Sequence, residues 1–210
     1  MTRAVLYDFD GTLADSFGAI TASTNHVRQL HGLPALSEES VREYVGLGLA
    51  NLMENLVPGA NVEQTVDQYR AHHGGVLYSG TKLLPGVLDT LQEVRRRGIA
   101  QGVCSNKRVD FTKQLVQLFD LSQYFTEVLG PEDVGVAKPN PAMLLEAVRR
   151  LNVSVDETVY IGDMSVDVET AKAAKMRVWI VPGGASGQHS AESAGPDRML
   201  KSFTEILDLI

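Results

Sequence analysis

The stretch Ala4-Val5-Leu6-Tyr7-Asp8-Phe9-Asp10-Gly11-Thr12-Leu13 decides the fold. Four apolar residues, too few for a helix but enough for a buried strand, run straight into two carboxylates and a glycine. The two-residue period of a strand puts Asp8 and Asp10 on one side of its end. Similar short apolar runs recur at 99–104, 127–129, 158–161 and 178–181. Between them, 87–97, 109–119, 141–151 and 166–175 carry apolar residues at three- and four-residue spacing. Several of these end in cations that suit a helix C-terminus, as Arg95-Arg96-Arg97 does. Strand alternating with helix predicts an α/β fold, a doubly wound parallel sheet.

The first connection breaks the alternation. Nothing strand-like lies between Leu13 and about Leu83, a gap far too long for one crossover, so an inserted domain must fill it. Its pattern is helical over 17–30, over 38–57 with an interruption at Gly46-Leu47-Gly48, and over 62–78, with breakers at Gly32-Leu33-Pro34 and Pro58-Gly59. The expected division is a core of 1–14 and 83–210 with an all-helical insert at 15–82. The run Gly183-Gly184-Ala185-Ser186-Gly187 lacks both the spaced-glycine nucleotide fingerprint and the lysine of a phosphate loop, and is expected to be a plain loop.

At 210 residues there is chain enough for one full domain and an appendage. With 44% hydrophobic and 21% charged residues and a mean hydropathy of -0.05, disorder, collagen and long coiled coils are excluded. Twenty-six acidic against 19 basic residues leave a formal charge of -7, which repels phosphate backbones and anionic lipid. Nucleic acid and membrane partners are therefore not expected. The N-terminus reaches Asp8 before any apolar leader segment develops, and no stretch approaches the ~18 apolar residues of a membrane span. A lone cysteine, Cys104, makes no intramolecular disulfide, so a reducing, cytoplasmic setting is expected.

In an open parallel sheet, ligands bind beyond the carboxyl ends of the strands. Those ends are polar here: Asp8 to Thr12 after the first strand, Ser105-Asn106-Lys107 after the second, and Gly162-Asp163-Met164-Ser165-Val166-Asp167 after the fourth. Asp163 and Asp167, four apart where a helix begins, can face the same way. Four converging acids repel one another unless a cation neutralises them, and an all-oxygen set suits magnesium. Magnesium takes few protein ligands and shares its shell with substrate phosphate, and residues for that phosphate are at hand. Ser105, with main-chain N–H groups at Asn106 and Gly11, can cradle phosphoryl oxygens while Lys138, in Lys138-Pro139, adds a point charge.

Asp8-Phe9-Asp10-Gly11-Thr12-Leu13, Ser105-Asn106-Lys107, Lys138-Pro139 and Gly162-Asp163 with Asp167 resemble, in order, the four motifs of the haloacid dehalogenase superfamily. The helical insert is similar to its C1 cap. The resemblance implies a Rossmannoid core, a cap that sets specificity, and an aspartyl-phosphate formed on Asp8. It implies Asp10 as general acid and then base, and a metal held by Asp8, the Asp10 carbonyl and Asp163, with Asp167 acting through water. Ser105 and Lys138 would stabilise the transferring phosphoryl group. An aspartate at position 10 selects phosphatases and phosphomutases over dehalogenases and pump ATPases. The Schiff-base branch needs a cap lysine, and none precedes Lys82.

In the insert, 44–53 and Asp67-Gln68-Tyr69-Arg70, and just after it Leu84-Pro85-Gly86-Val87, are similar to the phosphoglycolate phosphatase branch, which implies a small substrate such as 2-phosphoglycolate. Gly46 and Gly48 would let the backbone approach it. Of the insert's arginines, Arg28, Arg42 and Arg70, each reads first as a surface residue, and Arg42 is the candidate for a substrate carboxylate. The ending Val181-Pro182-Gly183-Gly184 departs from that branch. The rival readings are a sugar phosphomutase like β-phosphoglucomutase and a silent phosphate-binding regulator. Cys104 is expected to be a buried hydrophobe. The histidines lack metal spacing, and His72 and His73 are expected to point two ways.

Overall fold

The computed structural model describes residues 1–182 and 187–210. Strand β1 (Ala4–Tyr7) is followed by a short β2 (Ala14–Asp15), then by helices α1 (Phe17–Leu30), α2 (Glu38–Arg42), α3 (Leu49–Leu56) and α4 (Val62–Val76). The chain returns through β3 (Lys82–Leu83) and continues as α5 (Val87–Arg96), β4 (Ala100–Cys104), α6 (Val109–Leu118) and β5 (Glu127–Leu129). Next come α7 (Pro131–Val134), α8 (Ala142–Leu151), β6 (Thr158–Gly162), α9 (Ser165–Ala173), β7 (Arg177–Ile180), α10 (Gly187–Ser193) and β8 (Arg198–Met199). A 3-10 turn at Phe203–Asp208 follows.

Six strands form one parallel sheet in the order β5-β4-β1-β6-β7-β8. Strand β1 is central and wholly buried, and its alternate side chains feed two layers. Val5 and Tyr7 join Val103, Val159 and Ile161 against Leu91 of α5, Leu115 of α6 and Ile206. Leu6 joins Cys104, Tyr160 and Val178 against Leu144 of α8 and Val168 of α9. Each such aliphatic side chain, fully buried, contributes roughly 1.5–3 kcal/mol. Because the chain runs outward from β1 to β4 and β5, then crosses back to β6, the strand order reverses at β1. The carboxyl ends of β1, β4 and β6 meet there.

Helices α1 to α4 build a third apolar cluster around Phe17, Val27, Val41, Met53 and Tyr69, which Met164 and Val166 of the sheet unit also enter. The helical pattern over 38–57 divides into α2 and α3 because Gly46 and Gly48 take φ of +103° and +92°, left-handed values that glycine tolerates. Two features depart from the sequence reading. The stretch from Leu13 to Leu83 is not free of strand, since β2 and β3 pair antiparallel as Ala14 with Leu83 and Asp15 with Lys82. Strand β8 adds a sixth member beside β7. Both involve two-residue strands, too short for an apolar run to announce them. Of the loop expected at 183–187, only Gly187, the first residue of α10, lies among the described residues, and the Gly183-Gly184 ending lies outside them.

Candidate active site

The Asp8 amide extends the sheet ladder by donating to the Ile161 carbonyl at 2.8 Å. Beyond it the chain coils tightly, with the amides of Leu13 and Ala14 donating to the Phe9 carbonyl at 2.9 and 3.1 Å. Gly11 sits at φ +87°, and any side chain there would overlap the Asp163 carboxylate. This glycine thus lets the β1 loop close onto the β6 loop, where Thr12 Oγ1 donates to Asp163 Oδ1 at 2.9 Å. Asp167, in the first turn of α9, turns back so that its Oδ2 accepts the amides of Asp163 and Met164 at 3.1 and 3.0 Å. Gly162 leaves the room it needs. The expected convergence occurs for Asp8, Asp163 and Asp167, each buried, with one oxygen apiece lying within 4.8 Å of the others.

Lys138 enters this cluster from the segment before α8. Its Nζ stands 2.9 Å from Asp8 Oδ1, 2.7 Å from Asp167 Oδ1 and 2.9 Å from the Tyr160 hydroxyl. That hydroxyl in turn lies 2.8 Å from the Cys104 carbonyl. Burial alone would lower the lysine's pKa, but Asp167 and Asp8 outweigh it and hold the ammonium above its usual value. For Asp8 the balance runs the other way. Burial pushes it up to about 6, Lys138 pulls against that, and Asp167 adds to the rise. One ammonium against three buried carboxylates leaves an anionic excess. Asp8 Oδ1 faces the Lys138 ammonium at 2.9 Å, and Ser105 also hydrogen-bonds the Asp8 carboxylate. A buried, all-oxygen donor set that carries more negative charge than one ammonium offsets fits a hard divalent cation.

The Asp10 carboxylate stands apart from that cluster. Ser16 Oγ donates to it, and Lys107 Nζ lies 3.1 and 3.3 Å from its two oxygens. Lys107 is a site residue to which the sequence reading gave no role; its signal was its place at the end of β4, two positions after Ser105. Ser105 is buried and accepts the Lys107 amide at 3.3 Å. Asn106, whose main-chain N–H was the group expected at phosphate, has its side chain spent on main-chain groups of Lys138 and Gly46.

Asp8, Asp10, Ser105, Asn106, Lys107 and Lys138 floor a cleft that opens to solvent. Tyr44, Val45, Gly46, Gly48, Leu49 and Leu52 form much of its roof, and Arg108 and Phe111 flank it. Gly46 and Gly48 are therefore at the cleft as expected. Arg42 is not. Its guanidinium pairs with Glu38 at 3.0 Å and Asp15 at 3.5 Å and lies 3.9 Å from the Phe17 ring centre, three partners that hold it away from the cleft. Arg28 is also corrected, from surface to buried, where it donates to the carbonyls of Pro34 and Leu56. His73, given no function from sequence, lines the cleft, stacked on Tyr69 at 4.8 Å and edge-on to Phe111 at 5.0 Å. Burial, helped by Lys107, holds its pKa down to about 3, so the ring is neutral. Nor do the paired histidines diverge fully, because His72 and His73 both reach Ser23 Oγ, at 3.2 and 2.9 Å. Cys104 is buried, and burial raises its thiol pKa, as befits an inert core residue.

Residues 5–181 match the family profile of haloacid dehalogenase-like hydrolases. The chain is 29% identical to the phosphoglycolate phosphatase of Photorhabdus laumondii over 215 residues, spanning 99% of this chain and 92% of that one. It is 31% identical to the phosphoglycolate phosphatase of Salmonella paratyphi A over 230 residues, spanning 98% and 91%. Its backbone superposes on the crystal structure of a predicted phosphoglycolate phosphatase from Haemophilus somnus with a TM-score of 0.91 at 22% identity, covering 99% and 97% of the two chains. At that identity the likeness is one of fold.

Proposed function

The chain is a phosphatase that belongs to the haloacid dehalogenase-like hydrolase family, and from that premise we propose that it hydrolyses a small phosphorylated carboxylate, 2-phosphoglycolate, through an aspartyl-phosphate on Asp8. The observation that carries this reading is the buried cluster at the strand-order reversal, where Lys138 bridges Asp8 and Asp167 and Asp163 adds a third carboxylate. Magnesium would be held by Asp8, the Asp10 carbonyl and Asp163, with Asp167 behind them, and would supply positive charge to the phosphoryl oxygens. An Asp8 oxygen attacks phosphorus as the bond to the glycolate oxygen breaks, and Asp10 gives that oxygen a proton. Asp10 then takes a proton from the water that attacks the phosphoaspartate, freeing phosphate and restoring Asp8. Ser105 and Lys138 face the transferred group.

Helices α1 to α4, with residues 15–82 as their span, act as the cap that excludes bulk water and limits the leaving group's size. With Lys138 held by Asp8 and Asp167, the cleft cations left to meet the carboxylate of a two-carbon acid are Lys107 and Arg108, which would share it with their partners Asp10 and Asp110 and come from the sheet unit rather than from the insert. The value of kcat/KM for 2-phosphoglycolate should exceed that for glucose 6-phosphate at least ~10-fold, the effect of about 1.4 kcal/mol in the barrier. Equal or better turnover of the hexose phosphate rejects the substrate and leaves the phosphatase class standing.

Metal removal has a signed pH dependence. Because the fold raises Asp8 to about 6, the folded chain keeps a proton that the unfolded chain has released at lower pH. The Asp8 contribution to metal-free stability therefore falls as pH climbs from about 4 to about 6 and levels off above, against an opposite rise from His73, whose pKa the fold lowers to about 3. Magnesium binds the ionised form. At about pH 8, magnesium at ~100 times its dissociation constant should add ~2.7 kcal/mol, or roughly 5–10 °C in Tm for a chain of this size. The gain should shrink as pH drops through about 6. A Tm indifferent to magnesium at about pH 8 would sink the metal assignment.

A further inference from the structure

The Asn106 amide makes three hydrogen bonds, all to main chain. Its Oδ1 accepts the Lys138 amide at 2.7 Å, while Nδ2 donates to the Lys138 carbonyl at 3.1 Å and to the Gly46 carbonyl at 2.8 Å. Both of its N–H protons are thereby used. The first two bonds clamp the lysine's backbone as a paired strand would. The third crosses to the helical insert. Gly46, at φ +103°, is pressed against Met164, where a side chain of its own would collide with the methionine sulfur. Met164 follows Asp163. The turn between α2 and α3 thus rests on both loops that carry the proposed phosphate and metal groups, and it is tied to one of them by a single side chain.

We propose that Asn106 is a positioning residue that joins docking of the Gly46 turn to placement of Lys138, so that the cleft closes and the ammonium is delivered as one event. A substrate that keeps the turn seated also keeps the lysine's backbone clamped, and a lifted turn removes one of the clamp's partners. This role rests on the phosphatase reading of the cleft, but its structural half can be measured without turnover.

Amide hydrogen exchange, read with magnesium and inorganic phosphate as the probe, separates the possibilities. In the unaltered protein the probe should slow exchange over 44–49 and over 136–139 together. Asn106→Ala should lose the slowing in both segments and cut kcat ~10-fold on 2-phosphoglycolate, with KM changed less. Asn106→Asp keeps the shape and the Oδ1 acceptor but loses both donors, so it should match Asn106→Ala over 44–49; it also decides the matter if Asn106→Ala folds poorly. Exchange over 44–49 that ignores the probe in the unaltered protein, or that either folded variant leaves unchanged, overturns the coupling. Coupled slowing in a protein that turns over no phosphate ester would instead uphold the latch and reject the phosphatase reading.

Discussion

Asp8→Asn should abolish turnover, by at least ~10⁴-fold, and leave the fold intact. An amide is nearly isosteric with the carboxylate and keeps the main-chain bond to Ile161, but it is too weak a nucleophile to attack phosphorus. The stability effect runs against intuition. Asp8 is a buried acid whose ionisation the surroundings oppose, and it shares one ammonium with Asp167. A neutral amide removes part of the anionic excess, so metal-free Tm above about pH 6 should hold or rise, while the gain on adding magnesium should largely vanish. Rapid acid quench with labelled substrate, followed by peptide mapping, should place phosphate on Asp8 of the unaltered enzyme. Label on Ser105 would end the proposed mechanism.

Lys138→Met should be the most destabilising single change at the site. It removes the cation that faces Asp8 and Asp167 and deprives the Tyr160 hydroxyl of a partner, all in a buried setting. Breaking a buried pair from one side costs about 3–5 kcal/mol, so Tm in EDTA should fall by roughly 10 °C. Magnesium should recover part of that loss and none of the activity, which should stay at least ~10³-fold down. Adding Asp8→Asn to Lys138→Met should restore part of the lost stability, since it neutralises a carboxylate that the first change left without its cation. A metal-free Lys138→Met protein that melts with the unaltered one would show that the ammonium does not hold the cluster together.

The strands with long apolar runs and the acids at their ends were legible because burial and chemistry both leave marks in the local sequence. Asp8, Asp163 and Asp167 each sit next to an apolar strand or open a helix, and the spacing alone carried them toward one point. What escaped was decided by tertiary partners. Arg42 lies close in sequence to Gly46, yet the ring of Phe17 and the carboxylates of Glu38 and Asp15 hold it elsewhere. Lys107 and His73 meet around Asp10 and the cleft from a β4 loop and a helix 34 residues apart in sequence, and no local pattern encodes such a meeting. The Asn106 amide likewise serves main-chain carbonyls, which leave no trace in residue type.

The pairing of β2 with β3 has a consequence for how such chains diversify. Ala14 and Leu83 are partners in that ribbon, so the strand entering the helical insert and the strand leaving it stand side by side. A stretch whose two ends already touch can be shortened, lengthened or exchanged as a cassette, because closing the gap asks only for a tight turn and leaves the register of the six-stranded sheet alone. The insert's own apolar cluster travels with it, and the graft must re-create the seat against Met164 and Val166, the Gly46 bond to Asn106 and the contacts of His73 and Leu77 with the sheet unit. New substrates can then be tried by swapping roofs over an unchanged floor.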